Sequence, residues 1–195
     1  GWVISDESFF PESKSINFLK LRGSYGTLGN DQIKSNAYIS LLGGEATYIF
    51  NGQLVNGNAI GLLANPDVKW EEARKFDVGL DFRLFNNKVE IATDYFIDTR
   101  KDLLIVNVPI SAITGIAAPG ASSPVINAGS VRNKGFEFAI NYKEQVSDNF
   151  SFNINYNVTT LKNEVIEVNN GTGFIEGGLF GTSTATSRMQ VGHEI

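Results

Sequence analysis

"KFDVGLDFRLFNNKVEIATDYFID", residues Lys75 to Asp98, sets an apolar residue at nearly every second position and Lys, Asp, Arg or Glu at many of those between. Alternation with period 2 describes β-strands that have one apolar and one polar face. The single interruption, Phe85 to Lys88 ("FNNK"), is an Asn-rich stretch suited to a hairpin turn. If Leu84 pairs with Val89, then Arg83 faces Glu90 and Lys75 faces Asp98, while Phe82 meets Ile91 and Val78 meets Tyr95 on the other side. One register thus satisfies both faces, as a well-specified strand pair should.

Three further stretches alternate in the same way: Asn17 to Gly26, Phe136 to Lys143 and Phe150 to Val158. The last two are joined by a second short polar turn, Glu144 to Asn149 ("EQVSDN"), so about five strands are expected. Between the hairpins lie long Gly- and Asn-rich stretches, Thr27 to Ala73, Thr99 to Asn133, and everything after about Leu161. Loops of this length are uncommon in compact soluble domains. Short turns at one end and long loops at the other are what outer-membrane barrels show. The opening "GWVISDESFF" breaks the alternation; it is expected to hold a single helical turn at Ser5 to Phe9 and to connect, on the short-turn side, from a strand that precedes Gly1.

Bulk properties narrow the function classes. Of 195 residues, 42% are hydrophobic and only 19% charged, with Gly (20) and Phe (14) plentiful, a bias toward strands and turns. A formal net charge of -5 and the lack of any Lys/Arg cluster argue against nucleic-acid binding. Without cysteine there is neither a disulfide framework nor a thiolate metal site. No apolar run is long enough for a spanning helix, but a spanning β-strand needs only about 9 to 11 residues. Phe76 to Leu84 would extend about 27 Å at roughly 3.4 Å per residue, or near 21 Å of height when tilted by about 40°, against an apolar band of roughly 25 Å on membrane barrels. Counted from the turns, Tyr25, Tyr95 and Tyr156 fall toward the long-loop end and Phe82, Tyr142 and Phe150 toward the short-turn end, in the manner of two aromatic girdles. The same alternation also suits an antiparallel sandwich whose faces share a core, so a secreted or surface β-sandwich that binds glycan is the second reading.

Enzymatic chemistry finds little to stand on. His193 is the single histidine, which excludes His-based triads and His-rich metal sites. Most carboxylates fall opposite Lys or Arg on the polar faces, and paired charges in a wet interior account for them without a glycosidase dyad. The Asn/Asp-rich loops lack the ligand spacing of an EF-hand, and no cofactor motif is present. "LLGGEA" (Leu41 to Ala46) and "EGGLFG" (Glu176 to Gly181) lack the strand and helix context of a nucleotide site and read as flexible loops. Tyr38, Tyr48, Phe50 and Trp70, scattered through the first long loop, are the candidates for stacking on a ligand, although a packing role that pins the loop is favoured for most of them.

Taken together, "GWVISDESFF", "LKLRGSYGTLGN", "NPDVKWEEARKFDVGLDFRLFNNKVEIATDYFIDTRKDLL", "NAGSVRNKGFEFAINY" and "FNINYNVTTLKNEV" resemble, in order and spacing, the C-terminal part of the barrel of SusC-like (SusC/RagA family) TonB-dependent transporters. "RMQVGHEI" resembles the start of a further loop of that family. The resemblance implies an all-β, antiparallel transmembrane barrel of roughly 22 strands, integral to the outer membrane, with short periplasmic turns and long extracellular loops. It also implies an N-terminal plug, a SusD-like lipoprotein capping the extracellular mouth, energy coupling through the TonB complex, and oligosaccharide or peptide substrates imported without covalent chemistry. Plug, signal sequence, TonB box and final strand have no counterpart here. Residues 1–195 are therefore expected to be an internal fragment of the barrel domain, since about five strands cannot close a barrel and lipid does not tolerate their open edges.

Overall fold

The structure, a computed structural model, describes residues 1–11, 13–33, 35, 37–105, 122–180 and 184–195. Its strands are β1 (Trp2–Val3), β2 (Ile16–Asn30), β3 (Leu41–Phe50), β4 (Gln53–Leu62), β5 (Glu71–Leu84), β6 (Val89–Lys101), β7 (Leu104–Ile105), β8 (Ile126–Asn127), β9 (Gly129–Ser147), β10 (Phe150–Val168), β11 (Phe174–Phe180) and β12 (Thr184–Gln190). Six of them form one antiparallel sheet in the order β1-β2-β5-β6-β9-β10. The remaining strands make three two-stranded hairpins or bridges, all of them within the stretches that link the long-loop ends.

The hairpin of β5 and β6 has the register that its charges require: Leu84 opposite Val89, Arg83 opposite Glu90, Lys75 opposite Asp98, Phe82 opposite Ile91. Its turn places Phe85, Asn86 and Asn87 successively at positive φ (51°, 56° and 63°). Asn tolerates that left-handed region better than most residues. The turn is held from outside, because Asn17 Oδ1 accepts the Asn86 N–H at 2.7 Å and the Ser15 carbonyl accepts the Phe85 N–H at 3.0 Å.

Two features set the sheet apart from half of a sandwich. First, it is a single layer: Tyr25, Phe76, Tyr95, Phe136, Tyr156 and Val158 on its apolar face stay exposed, and among the described residues no second sheet covers them. The buried apolar residues Ala37, Val125, Ala128, Val131 and Val165 instead gather at the long-loop end. Second, the hairpins are staggered in one direction. β1 stops at Val3–Lys20 while β2 and β5 run on to Ile16–Leu84, and β6 stops at Val89–Tyr142 while β9 and β10 run on to Ser147–Phe150. Bringing such turns level tilts the strands, which is the shear that a closing barrel needs.

Several expectations are revised. The strands are longer than the alternation alone outlined, and the turn expected at Glu144 to Asn149 shrinks to Asp148 and Asn149, because Glu144 and Gln145 stay in the ladder opposite Phe152 and Ser151. The stretch Leu41 to Ala46, expected as a flexible loop, lies in β3, and Glu176 to Phe180 lies in β11. In both, cross-strand hydrogen bonding to a following segment overrides the low strand propensity of glycine. Trp2 and Val3, read as part of a connection, pair with Leu21 and Lys20 at the sheet edge, and the helical turn follows them at Ile4–Asp6 in 3-10 form. Tyr156 does not share a row with Tyr25: through Ile140 and Ile91 it aligns with Phe82, so counting from each strand's own turn misplaced it across the stagger. Part of the Thr99 to Asn133 loop, residues 106–121, lies outside the described residues, as does Gly181 of the glycine stretch.

Candidate functional site: a charged inner face and an aromatic hairpin

Even-odd alternation sends Lys20, Arg22 and Ser24 of β2, Lys75 to Arg83 of β5, Glu90 to Arg100 of β6 and Asn133 to Lys143 of β9 to one face. Charges on that face are joined across strands. Arg22 is the centre of a three-strand network: its Nε donates to Asp81 Oδ2 at 2.9 Å, and its Nη2 lies 2.8 Å from Asp94 Oδ1 and 2.9 Å from Asp94 Oδ2, with hydrogen-bond geometry to Oδ2. Asp94 sits two strands away from Arg22, and Gly79 lies between them in the register. The guanidinium crosses β5 through the space that a side chain at Gly79 would fill.

Other links repeat the pattern. Lys143 Nζ donates to Glu90 Oε1 at 3.0 Å while Asn141 Nδ2 donates to Glu90 Oε2 at 3.2 Å. Lys75 and Asp98 stand 3.7 Å apart, and so do Arg100 and Glu71. Arg83 lies 4.8 Å over the ring of Phe18. Of these groups Asp81, Arg83, Glu90 and Asn141, joined by Lys20 and Asn155, form the polar wall of a shallow concavity of about 430 Å³. Glu71, Asp81, Glu90, Asp94 and Asp98 on this face are each partnered by a cation, whereas Asp77 and Glu137 make no ion pair among the described residues. Among the described residues no cluster of His, Asp and Glu has metal-binding geometry.

At the short-turn rim, past the Val89–Tyr142 pair, Lys88 Nζ donates to Glu144 Oε2 at 2.9 Å and lies 2.6 Å from Oε1. The hydrogen bond holds the Glu144 carboxyl below the usual carboxylate range and pushes the Lys88 ammonium up. Tyr142 donates its phenol to the same carboxylate, and its ring meets Phe152 edge-on at 5.7 Å. An aromatic ring with a polar tip suits a membrane–water boundary.

The four aromatic candidates lie at the long-loop end, and no ring contact joins any two of them among the described residues. Tyr48 (73% exposed) and Phe50 (68%) share one face near the tip of the β3–β4 hairpin, opposite Val55 and Gln53. Tyr38 (58%) precedes β3. Trp70 (67%) stands just before β5 and lies over Gly29, close enough that an added Cβ there would come within 3.3 Å of its ring. Of the packing role favoured for most of these residues, the described residues show the approach of Trp70 to Gly29. Sequence reading missed what fastens the loops: Asn127 Oδ1 accepts the Lys69 N–H at 2.8 Å, while its Nδ2 donates to the Lys69 and Asp102 carbonyls at 2.9 and 2.8 Å. Asn65 Nδ2 donates to the Val125 carbonyl at 2.8 Å. A lone Asn beside an apolar run gives no sequence signal for such a tie.

Comparison with known proteins agrees with this geometry. A family model described as TonB dependent receptor-like, beta-barrel matches residues 14–188. TonB-dependent receptor P39 of Formosa agariphila is 36% identical over 178 residues, covering 91% of this chain and 16% of the relative. TonB-dependent receptor SusC of Bacteroides thetaiotaomicron is 31% identical over 176 residues, 88% of this chain and 17% of the relative. The chain therefore spans about a sixth of the length of the curated relatives it matches. Among solved structures, the RagAB peptide transporter superposes with a TM-score of 0.77 at 25% identity, covering 98% of this chain and 20% of that one. With its staggered single-layer sheet and two-faced strands, the chain belongs to the TonB-dependent receptor β-barrel family and is SusC/RagA-like.

Proposed function

We propose that residues 1–195 are an internal segment of the barrel of an outer-membrane transporter that imports nutrients, oligosaccharides foremost and peptides as the second class. In this reading a SusD-like surface lipoprotein caps the long-loop side, and the TonB complex supplies energy through parts of the protein outside this segment. Import then proceeds by binding and conformational release, with no bond made or broken. The observation that carries the reading is the division of faces: an uncovered apolar face on strands of membrane-spanning length, backed by a charge-paired face that suits a hydrated lumen. The open edges at β1 and β10 accord with it, since lipid requires neighbouring strands to complete the hydrogen bonding. Tyr48 and Phe50, exposed together on the β3–β4 hairpin, are the proposed ligand-stacking residues, with Tyr38 and Trp70 as secondary candidates.

The test is membrane assembly of the full-length protein. Leu80→Arg or Ile140→Arg, on the outward face, is expected to abolish insertion, whereas Asp77→Asn on the inward face leaves it intact, because a cation at mid-membrane costs about 2–4 kcal/mol. Normal assembly of both arginine variants, or cooperative folding of the protein as a detergent-free soluble monomer, overturns the reading in favour of the glycan-binding sandwich.

A further inference from the structure

We propose that Lys134 and Lys162 form a site for the phosphate of an anionic lipid headgroup on the outward face, at the long-loop rim. The inference rests on the proposed orientation, in which that face meets lipid. The register places Lys162 directly opposite Lys134 and continues the row through Ile97 and Phe76 to Tyr25. Both lysines lie on the same face as Phe136, Phe138 and Val158, which follow toward mid-sheet.

The surroundings leave this pair without a protein anion. One row further out, Glu164 is taken by Arg132 at 3.4 Å, and two rows out Glu72 is taken by Arg74. Neither Lys134 nor Lys162 makes an ion pair or a side-chain hydrogen bond among the described residues. Directly opposed like charges destabilise a strand pair, their Cβ atoms being only about 4.5–5.5 Å apart. The inner face avoids the problem by pairing opposite charges, as in Arg83 with Glu90. A dianionic or monoanionic phosphate set between the two ammonium groups turns the repulsion into attraction on both sides. A lysine at the rim of an apolar face can run its stem along the apolar rows and hold its ammonium group at the height of a lipid phosphate. A soluble carboxylate ligand lacks the acyl chains that the adjoining Phe136, Phe138 and Val158 would receive.

The experiment uses the full-length transporter in nanodiscs of phosphatidylcholine, with or without phosphatidylglycerol, and native mass spectrometry to titrate retained phosphatidylglycerol. Lys134→Gln/Lys162→Gln is expected to weaken retention about thirtyfold, or about 2 kcal/mol at about 1.4 kcal/mol per tenfold. Lys134→Arg/Lys162→Arg restores it, and Lys69→Gln, in a loop, leaves it unchanged. Folding is checked by the heat-dependent gel shift; if the double variant fails to fold, Lys162→Gln alone is expected to lose about fivefold. Equal retention by the glutamine variant overturns the proposal, as does displacement of the lipid by inorganic phosphate at matched concentration, which would mark a free-anion site. Failure of the membrane orientation is read separately: in that case Leu80→Arg assembles normally, whereas failure of the lysine site alone leaves Leu80→Arg unable to assemble.

Discussion

Substituting Gly79 by Ala tests whether the Arg22 network depends on an empty position. Gly79 does not occupy the left-handed region, so alanine fits its backbone and the requirement is one of space. A Cβ there would overlap Asp94 Oδ1 and stand 2.9 Å from both Asp94 Cγ and Arg22 Nη2. Either Asp94 or the guanidinium has to move, and the bridge across β5 opens while the Arg22–Asp81 bond at 2.9 Å survives. A charge-assisted hydrogen bond contributes about 1.5–3 kcal/mol. Set against it is the gain of about 0.4–1 kcal/mol from removing a glycine from the unfolded chain. The side chains are part-exposed, 32% for Arg22 and 17% for Asp94, which places the bond at the lower end of that range.

The expected net loss is therefore about 0.5–1 kcal/mol, measured as a lowered urea midpoint for the full-length protein in lipid vesicles. Two comparisons isolate the cause. Gly26→Ala, where an added Cβ meets nothing within 4 Å, is expected to be neutral or slightly stabilising. In an Asp94→Ala background, Gly79→Ala should cost little further, because Asp94 Oδ1 and Cγ are gone and Arg22 Nη2, released from Asp94, is the end of a flexible side chain that can step aside. A Gly79→Ala protein as stable as its parent refutes the reasoning, and so does a full, additive cost in the Asp94→Ala background.

Three other outcomes are expected. Asn127→Ala removes three hydrogen bonds to the backbone of Lys69 and Asp102, so amide exchange at Lys69 should speed up by an amount matching about 1–3 kcal/mol; unchanged exchange would mean that the loop base is held elsewhere. Tyr48→Ala and Phe50→Ala should each weaken ligand capture by about 0.5–1.5 kcal/mol without moving the unfolding midpoint, since both rings are exposed; wild-type uptake by the double variant removes the hairpin from the ligand path. Glu144 is held low and Lys88 high by their hydrogen bond. The carboxylate's share is thus present above its unfolded value near about pH 4.3 and lost as pH falls through its lower folded value, and the ammonium's share is present below about pH 10.4 and lost above its raised folded value. The stability difference between the parent and Lys88→Gln should be flat between those limits and shrink on acidification; growth of the difference in acid contradicts the pairing.

The strands were legible because a sheet with one apolar and one polar face writes itself into the chain with period 2, and because opposed charges fix the register. Lys75 with Asp98 and Arg83 with Glu90 are pairs that arithmetic from the turn at Phe85 to Lys88 identifies. Strand ends were not legible. Gly129 to Asn133 and Leu161 to Val168 lose the alternation yet stay in the ladder, since backbone hydrogen bonding continues whatever the side chains are. The β3–β4 hairpin was missed for a related reason: Gly43-Gly44 in β3 and Asn56-Gly57-Asn58 in β4 interrupt the alternation with residues that propensity assigns to loops, and Asn51-Gly52 at positive φ is a hairpin turn signal inside that long stretch.

Functional positions were legible in proportion to how local they are. Arg22, Asp81 and Asp94 each show on a polar face, but their meeting depends on two registers at once, and on a glycine whose value is the room it leaves. The same holds for Lys134 and Lys162, which lie in different strands and become neighbours only when the β9–β10 pairing is known. Each of these groups joins strands, so a single-strand pattern carries half of the information. A sheet protein that binds on its faces distributes its sites across registers by construction, because neighbours on a face are adjacent strands and not adjacent residues. Turn positions therefore decide the sites as much as site residues do: a one-residue slip at Asp148–Asn149 would send Lys162 to the inner face and leave Lys134 outside, dissolving the pair while every side chain remained in place.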